Sequence, residues 1–411
     1  MLINKLDTSS WLANLKKYWW MIVIYTVPLI RFSRRRDTDD YMTVDASNLI
    51  NIIGTLLLAV ILLREHKTIA RFWKNTCFRY YTFYYLFCAI SVFWAVRMIM
   101  LYTIFRVFEM IVYFFASVIL MYYFESQKKA YQFIMWISVF LGLFKIYEVY
   151  YKSGGFEEAY LHTNSYTIFG MVAFLLAVYA ARNKSLLFKE YIIPLIMGGI
   201  ILCLGTSSAS YIATIYGLIL VFSKKKTNFS IVSVVIYAII GYICFILWED
   251  YILDFIFPGK SMENIMTGTG RTDMWSFYFN AWLNSPILGY GFPVGEKEAQ
   301  LFGWVQTSSS HNMLLSVLIN TGLIGMAIWG AFLLTTISTG YRNSIINGDF
   351  YGGIFICFLC VILNSLSIPS LGSAFGSSTS VPLMLIAYIG VYSNLGSTVS
   401  LTQNLIVSNS P

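Results

Sequence analysis

Arg271 and His311 are the residues of this chain whose types and settings could do chemistry. Both lie between Thr269 and Trp329, which reads TGTGRTDMWSFYFNAWLNSPILGYGF, a polar run, then SSSHNMLLSVLINTGLIGMAIW. A guanidinium is always charged and forks onto two oxygens, so it suits a phosphate or diphosphate. Serines are good N-caps, so Ser308, Ser309 and Ser310 predict a helix whose first turn holds His311. Free N–H groups at such a start favour a bound phosphate. The same dipole disfavours imidazolium and leaves the ring neutral, able to accept a proton. The pair points to chemistry on an anionic, lipid-borne substrate, against the plainer reading of His311 as a hydrogen-bonded interfacial residue.

Other candidates carry less. Glu249, Asp250 and Asp254 close an apolar run and could hold Mg²⁺ or Mn²⁺, although solvated acids at a helix end explain them as well. Cys357 and Cys360 stand three apart on one helix face within an apolar run, where inert buried thiols are the expectation. The histidines are His66, His162 and His311, with no histidine–cysteine metal spacing, so neither metal nor cofactor is expected. No strand precedes Gly289-Tyr290-Gly291 and Gly295, so these glycines predict a tight turn against the membrane surface rather than a dinucleotide site.

The elements that must position these residues follow from local signals. Thr272 or Asp273 can cap a helix that runs to about Asn284 and stops before Pro286. Trp275, Tyr278, Phe279 and Trp282 recur at helical spacing, which predicts an amphipathic helix on the membrane surface with its aromatics at headgroup depth. Arg271 then sits at the helix start, where a cation opposes the dipole, so local stability does not select it.

Around this loop the chain is lipid-like. Of its 411 residues 58% are hydrophobic and 12% charged, against about a quarter charged in a soluble domain. Apolar stretches predict an all-α polytopic membrane protein with about twelve transmembrane helices, near 12–30, 47–63, 78–96, 107–124, 131–150, 165–181, 191–206, 208–223, 229–248, 312–334, 351–365 and 380–395. The expectation is one membrane domain over 1–395, an extracytoplasmic loop over 249–311 containing the interfacial helix, and a polar, flexible tail over 396–411. The first span follows Lys16 and Lys17 without a small-residue cleavage site, so it is expected to be retained. Most Lys and Arg fall in loops that are cytoplasmic if both termini are. Arg31, Arg34, Arg35 and Arg36 run against that assignment. The net charge of +8 is scattered over these loops rather than gathered with aromatics, which argues against nucleic acid as a partner.

The pattern GR…W…SPILGYG…HN…LL…GLIG, from Gly270 to Gly325, resembles the O-antigen ligase and polymerase family of bacterial membrane glycosyltransferases. His162-Thr163-Asn164 also resembles a family pattern, with Asn164 ahead of a helix. The resemblance implies transfer of a glycan from an undecaprenyl diphosphate carrier on the outer face of the cytoplasmic membrane. A polymerase of repeat units, making O-antigen, capsule or exopolysaccharide, is the leading expectation. A ligase to an acceptor such as the lipid A core is the alternative. A flippase without catalysis is a third, disfavoured because no internal repeats or matched broken spans are visible. The resemblance makes Arg271 the diphosphate holder and His311 the residue that activates the acceptor hydroxyl, in an inverting, metal-independent reaction. It implies lipid-linked glycans and membrane lipid as partners, with a flippase and a chain-length regulator alongside. Asn312, Asn164, Gly289 and Gly291 complete the candidate substrate contacts. Many relatives carry a second arginine in a Ser-Arg pattern where this chain reads Gly205-Thr-Ser-Ser-Ala-Ser210, with Ala209 in its place. The substitutes are Arg97, Arg106, the hydroxyls of Ser207 and Ser208, or Lys145, which lies inside a predicted span with Glu148.

Overall fold

The computed structural model describes residues 19–27, 46–96, 99–124, 126–152, 164–205, 207–223, 271–297, 310–346, 349–368, 370–374 and 376–408. These form helices α1 (19–27), α2 (Ala46–Arg64), α3 (His66–Phe72), α4 (Thr76–Ile90), α5 (Met100–Tyr123), α6 (Gln127–Tyr147), α7 (Asn164–Asn183), α8 (Phe188–Cys203), α9 (Ser208–Phe222), α10 (Arg271–Leu283), α11 (Met313–Ile346), α12 (Asp349–Ser365) and α13 (Ser377–Ser408), with no strand among the described residues.

Helix starts follow their caps. The Asn75 side chain accepts from Cys77 N at 3.1 Å and starts α4, while its amide donates to Gly390 O at 3.1 Å, fastening α4 to α13. Ser126 caps α6 through Lys129 N, and Ser207 caps α9 through Ser210 N. Small residues set the closest helix pair. A Cβ on Gly170 of α7 would stand 2.7 Å from Leu202 N, and one on Gly198 of α8 would stand 2.7 Å from Phe174 N. Aromatics fill the core around α4. Tyr81 stacks on Phe114 at 3.9 Å, and Trp329 lies between Tyr84 and Phe332, each centroid 4.8 Å away.

Helices long and apolar enough to cross a membrane number four among the described residues, or five if α2 and α3, bent by 79°, count as one span. The expected count of about twelve is not confirmed among the described residues, where several apolar helices are short. Helices α4, α8, α9 and α12 have 15, 16, 15 and 17 residues. At 1.5 Å per residue they reach roughly 22–26 Å, short of a hydrocarbon core of about 30 Å. The span expected at 229–248 lies outside the described residues, as does most of the loop expected at 249–311. Helix α11 continues to Ile346, past the span end expected at 334, and α13 runs to Ser408 through the residues expected to form a polar tail.

The described loops gather at two ends of the bundle. At one end Arg71 bonds Tyr122 OH at 3.1 Å, Lys128 bonds Glu190 at 2.9 Å and Tyr392 OH bonds Phe124 O at 2.9 Å. Lys67, Lys74, Lys129, Lys184 and Lys189 flank the same helix ends. At the other end Tyr84 OH bonds Gly372 O at 3.0 Å, Trp94 Nε1 bonds Leu288 O at 3.0 Å and Tyr166 OH bonds Leu204 O at 2.8 Å. That second end carries α10 and the start of α11.

Candidate active site

Helix α10 spans Arg271–Leu283 and ends before Pro286 as expected, but Thr272 and Asp273 lie within its first turn, so neither is the cap they were expected to form. Met274, Tyr278 and Ala281 recur at helical spacing and bury against Ile319 of α11. Of the expected aromatic stripe, Tyr278 is buried against the protein, and Trp275 and Trp282 are half-buried. Trp275 Nε1 donates to Ser310 O at 2.9 Å, Tyr278 OH to Glu296 O at 3.1 Å and Trp282 Nε1 to Pro286 O at 3.2 Å. Fixed carbonyls satisfy these amphipathic rings, which is what an indole or phenol needs when buried. Burial, and then the nearby Glu296 charge, push the Tyr278 hydroxyl well above the usual phenol range, so it stays a donor. Phe279 is the stripe member left exposed, at 45%.

Helix α11 is broken at Gly322, whose φ is 62° and ψ −163°. The break frees backbone groups that would be costly in an apolar setting, and the segment 286–291 satisfies them. Tyr290 N donates to Ile319 O at 2.8 Å and Gly291 N to Asn320 O at 2.9 Å. Leu323 N donates to Pro286 O at 2.8 Å and Ile324 N to Ile287 O at 3.3 Å. The other edge of the segment meets the end of α4, where Val96 N donates to Tyr290 O at 2.9 Å and Phe292 N to Ser91 Oγ at 2.8 Å. The glycine turn is thus tight, but it is seated on α11 and α4. The N–H groups of Gly289 and Gly291 are committed to Ser285 O and Asn320 O.

The expected setting of His311 is corrected. The cap of α11 is Asn312, whose side-chain oxygen accepts from Leu314 N at 2.9 Å and Leu315 N at 3.2 Å. His311 therefore precedes the helix, with a left-handed φ of 48°. The N–H groups expected to await a phosphate are instead capped, because asparagine caps as well as serine and the serine hydroxyl is used elsewhere. Ser310 Oγ donates to Glu296 Oε1 at 2.7 Å, and Ser310 N bonds the same oxygen. Ser316 Oγ takes the other carboxylate oxygen at 2.5 Å.

Arg271 lies one helical turn before Trp275 on the same helix face, and Trp275 holds the residue next to His311. The start of α10 and the His311 turn consequently meet at one end of the bundle. Arg97 lies outside the described residues, as do Glu249, Asp250 and Asp254. Arg106, expected to flank a loop, lies inside α5 and pairs with the buried Glu109, whose other oxygen accepts from Asn51. Lys145 and Glu148 form a buried pair at 2.5 Å where α6 ends. Asn164 is the first residue of α7. Ser207 is buried in a hydroxyl cluster, in which Ser210 Oγ contacts Thr167 Oγ1 at 2.9 Å, accepts from Asn364 at 2.8 Å and meets Ser207 Oγ at 3.2 Å. Ser208 follows as the first residue of α9.

Sequence reasoning missed Glu296, an acid in a glycine-rich turn that looks solvated until its partners from 310 and 316 are seen. The available signal was the hydroxyl-rich stretch, Ser308 to Ser310 and Ser316, on either side of the histidine.

These features define a helical, membrane-type protein with a polar constellation gathered at one end of its apolar helices. Residues 192–330 match the family described as O-Antigen ligase. That segment contains most of α8, then α9, α10, the glycine turn, Glu296, His311 and the first part of α11. Comparison with curated proteins finds no match.

Proposed function

We propose that this protein is a membrane glycosyltransferase that polymerises undecaprenyl-diphosphate-linked oligosaccharide repeat units on the outer face of the bacterial cytoplasmic membrane. The observation that carries the reading is the bond from Trp275 to Ser310 O at 2.9 Å, which ties the Arg271 helix to the His311 turn inside the family-matched segment. In this reading the hydroxyl of an acceptor sugar attacks the anomeric carbon of the donor. The new C–O bond forms as the bond to the diphosphate breaks, and the configuration inverts. His311 takes the hydroxyl proton, a role that contributes typically about 10²–10⁴-fold. The carrier leaves as undecaprenyl diphosphate, a good leaving group that needs cations rather than a general acid or a metal. Arg271 supplies a forked, permanently charged donor for it. Because Asn312 occupies N–H groups at the start of α11, more of that charge falls to arginine. Arg106 and Lys145 already face carboxylates, which favours Arg97 as the second cation.

A ligase is the second reading, favoured by the description of the matched family. Purified protein incubated with one lipid-linked repeat unit separates the two. A polymerase yields a ladder from that substrate alone. A ligase yields no ladder, and one transferred glycan once a lipid A core acceptor is added. Intact substrate under both conditions would refute glycosyl transfer.

A further inference from the structure

Glu296 is a buried acid, 7% exposed, in the turn that follows α10. Its bonds run to the turn that bears His311. One oxygen accepts from Ser310 N and Ser310 Oγ, and the other accepts from Ser316 Oγ one turn into α11. The glutamate is itself fixed at its backbone. Glu296 N donates to Asn320 Oδ1 at 3.1 Å, and Glu296 O accepts from Tyr278 at 3.1 Å. On the far side of the histidine, Asn312 N meets Ser310 Oγ at 3.3 Å while its side chain caps the helix. His311, between these anchors, holds a φ of 48°, which a residue with a Cβ adopts at a cost and keeps only when its surroundings impose it. Trp275 completes the hold by binding Ser310 O.

We infer that Glu296 is a positioning residue: its carboxylate clamps Ser310 and Ser316 so that the strained turn presents the His311 imidazole beside the start of α10. Both carboxylate oxygens are engaged by donors of this chain, so the group acts through the backbone and not on the substrate. The inference rests on the transfer reading for its functional consequence, but the clamp can be measured without turnover.

The test uses full-length protein in detergent and three variants. Glu296→Ala removes every acceptor. Ser316→Ala removes one donor and keeps the clamp on Ser310, which covers the case in which the alanine variant does not fold. Glu296→Gln keeps an oxygen for Ser310 and places an amide that can donate to Ser316 Oγ, so a positioning role is retained and a carboxylate chemistry is not. The probes are diethyl pyrocarbonate modification of His311, read by mass spectrometry with His66 and His162 as internal references, and amide exchange of 310–315. With Glu296→Ala, modification of His311 accelerates, exchange protection is lost, and turnover of the lipid-linked repeat unit falls about 100-fold with little change in KM, as expected for a misplaced catalytic group. Ser316→Ala moves each readout in the same direction by less. Glu296→Gln stays within about fivefold of wild type, because the shape of the clamp survives. Wild-type exchange and modification in Glu296→Ala and Ser316→Ala would overturn the inference, as would a Gln variant as inactive as the Ala variant. Normal chain extension by His311→Ala would instead remove the transfer reading, leaving exchange and modification to judge the clamp.

Discussion

Gly289→Ala tests whether the glycine turn is seated on the broken helix. Gly289 has a φ of 66°, and a Cβ there would stand 2.7 Å from both Gly322 N and Thr321 N and 2.8 Å from Asn320 C. These are backbone atoms, so no side-chain rotation relieves the contact. A left-handed alanine costs about 1–2 kcal/mol by itself. Pushing the turn away weakens the N–H···O bonds that join 286–291 to 319–324, and one buried backbone bond left unmade costs roughly 1–3 kcal/mol. Together the loss is roughly 3 kcal/mol, which for a chain of this length lowers the melting temperature by roughly 3 °C. Gly330→Ala on the same helix is the control. Nothing lies within 4 Å of its added Cβ, and replacing a helical glycine there should gain up to about 1 kcal/mol. Thermal unfolding in micelles can be read with a thiol-reactive dye, since Cys77, Cys88, Cys357 and Cys360 are buried until the bundle opens. Wild-type melting of Gly289→Ala would refute the seating. Unchanged melting with lost turnover would return Gly289 to the substrate contacts.

Arg271→Lys keeps the charge but loses the fork, so most of the turnover should disappear; a fully active lysine variant in the ladder assay would argue against bidentate diphosphate binding. Turnover should survive EDTA, and loss on chelation with rescue by Mg²⁺ would bring Glu249, Asp250 and Asp254 back as ligands. Asn312→Ala removes the cap of α11 and should cost about 1 kcal/mol in the same unfolding assay; no change would mean that Ser310 or water takes over the cap.

What was legible in the sequence is what local chemistry decides. The end of α10 before Pro286 was legible because a proline acts within one turn of chain. The tight turn at Gly289 and Gly291 was legible for the same reason. Its seat was not, because the break at Gly322 depends on partners some thirty residues earlier, and a glycine in an apolar run looks like a packing residue. The setting of His311 was misjudged where Ser310 and Asn312 compete to cap α11, and a distant carboxylate decides the contest. Arg106 looked like a loop flank because Tyr102 and Thr103 lower the hydropathy of a segment that is nevertheless helical from Met100. A buried glutamate on the same helix compensates the arginine, a pairing visible only once the helix start is known. The span count is not confirmed among the described residues, where several apolar runs fold into helices too short to cross by themselves.

The account depends on α10 and the His311 turn meeting at the outer end of the bundle, and paired cysteines measure this directly. In a background cleared of the native cysteines, Arg271→Cys and His311→Cys are introduced together and treated on intact cells with a membrane-impermeant maleimide or a short bismaleimide. The account predicts labelling of both positions from outside and an efficient cross-link between them. Labelling only after permeabilisation, or no cross-link at positions that both label, would contradict it.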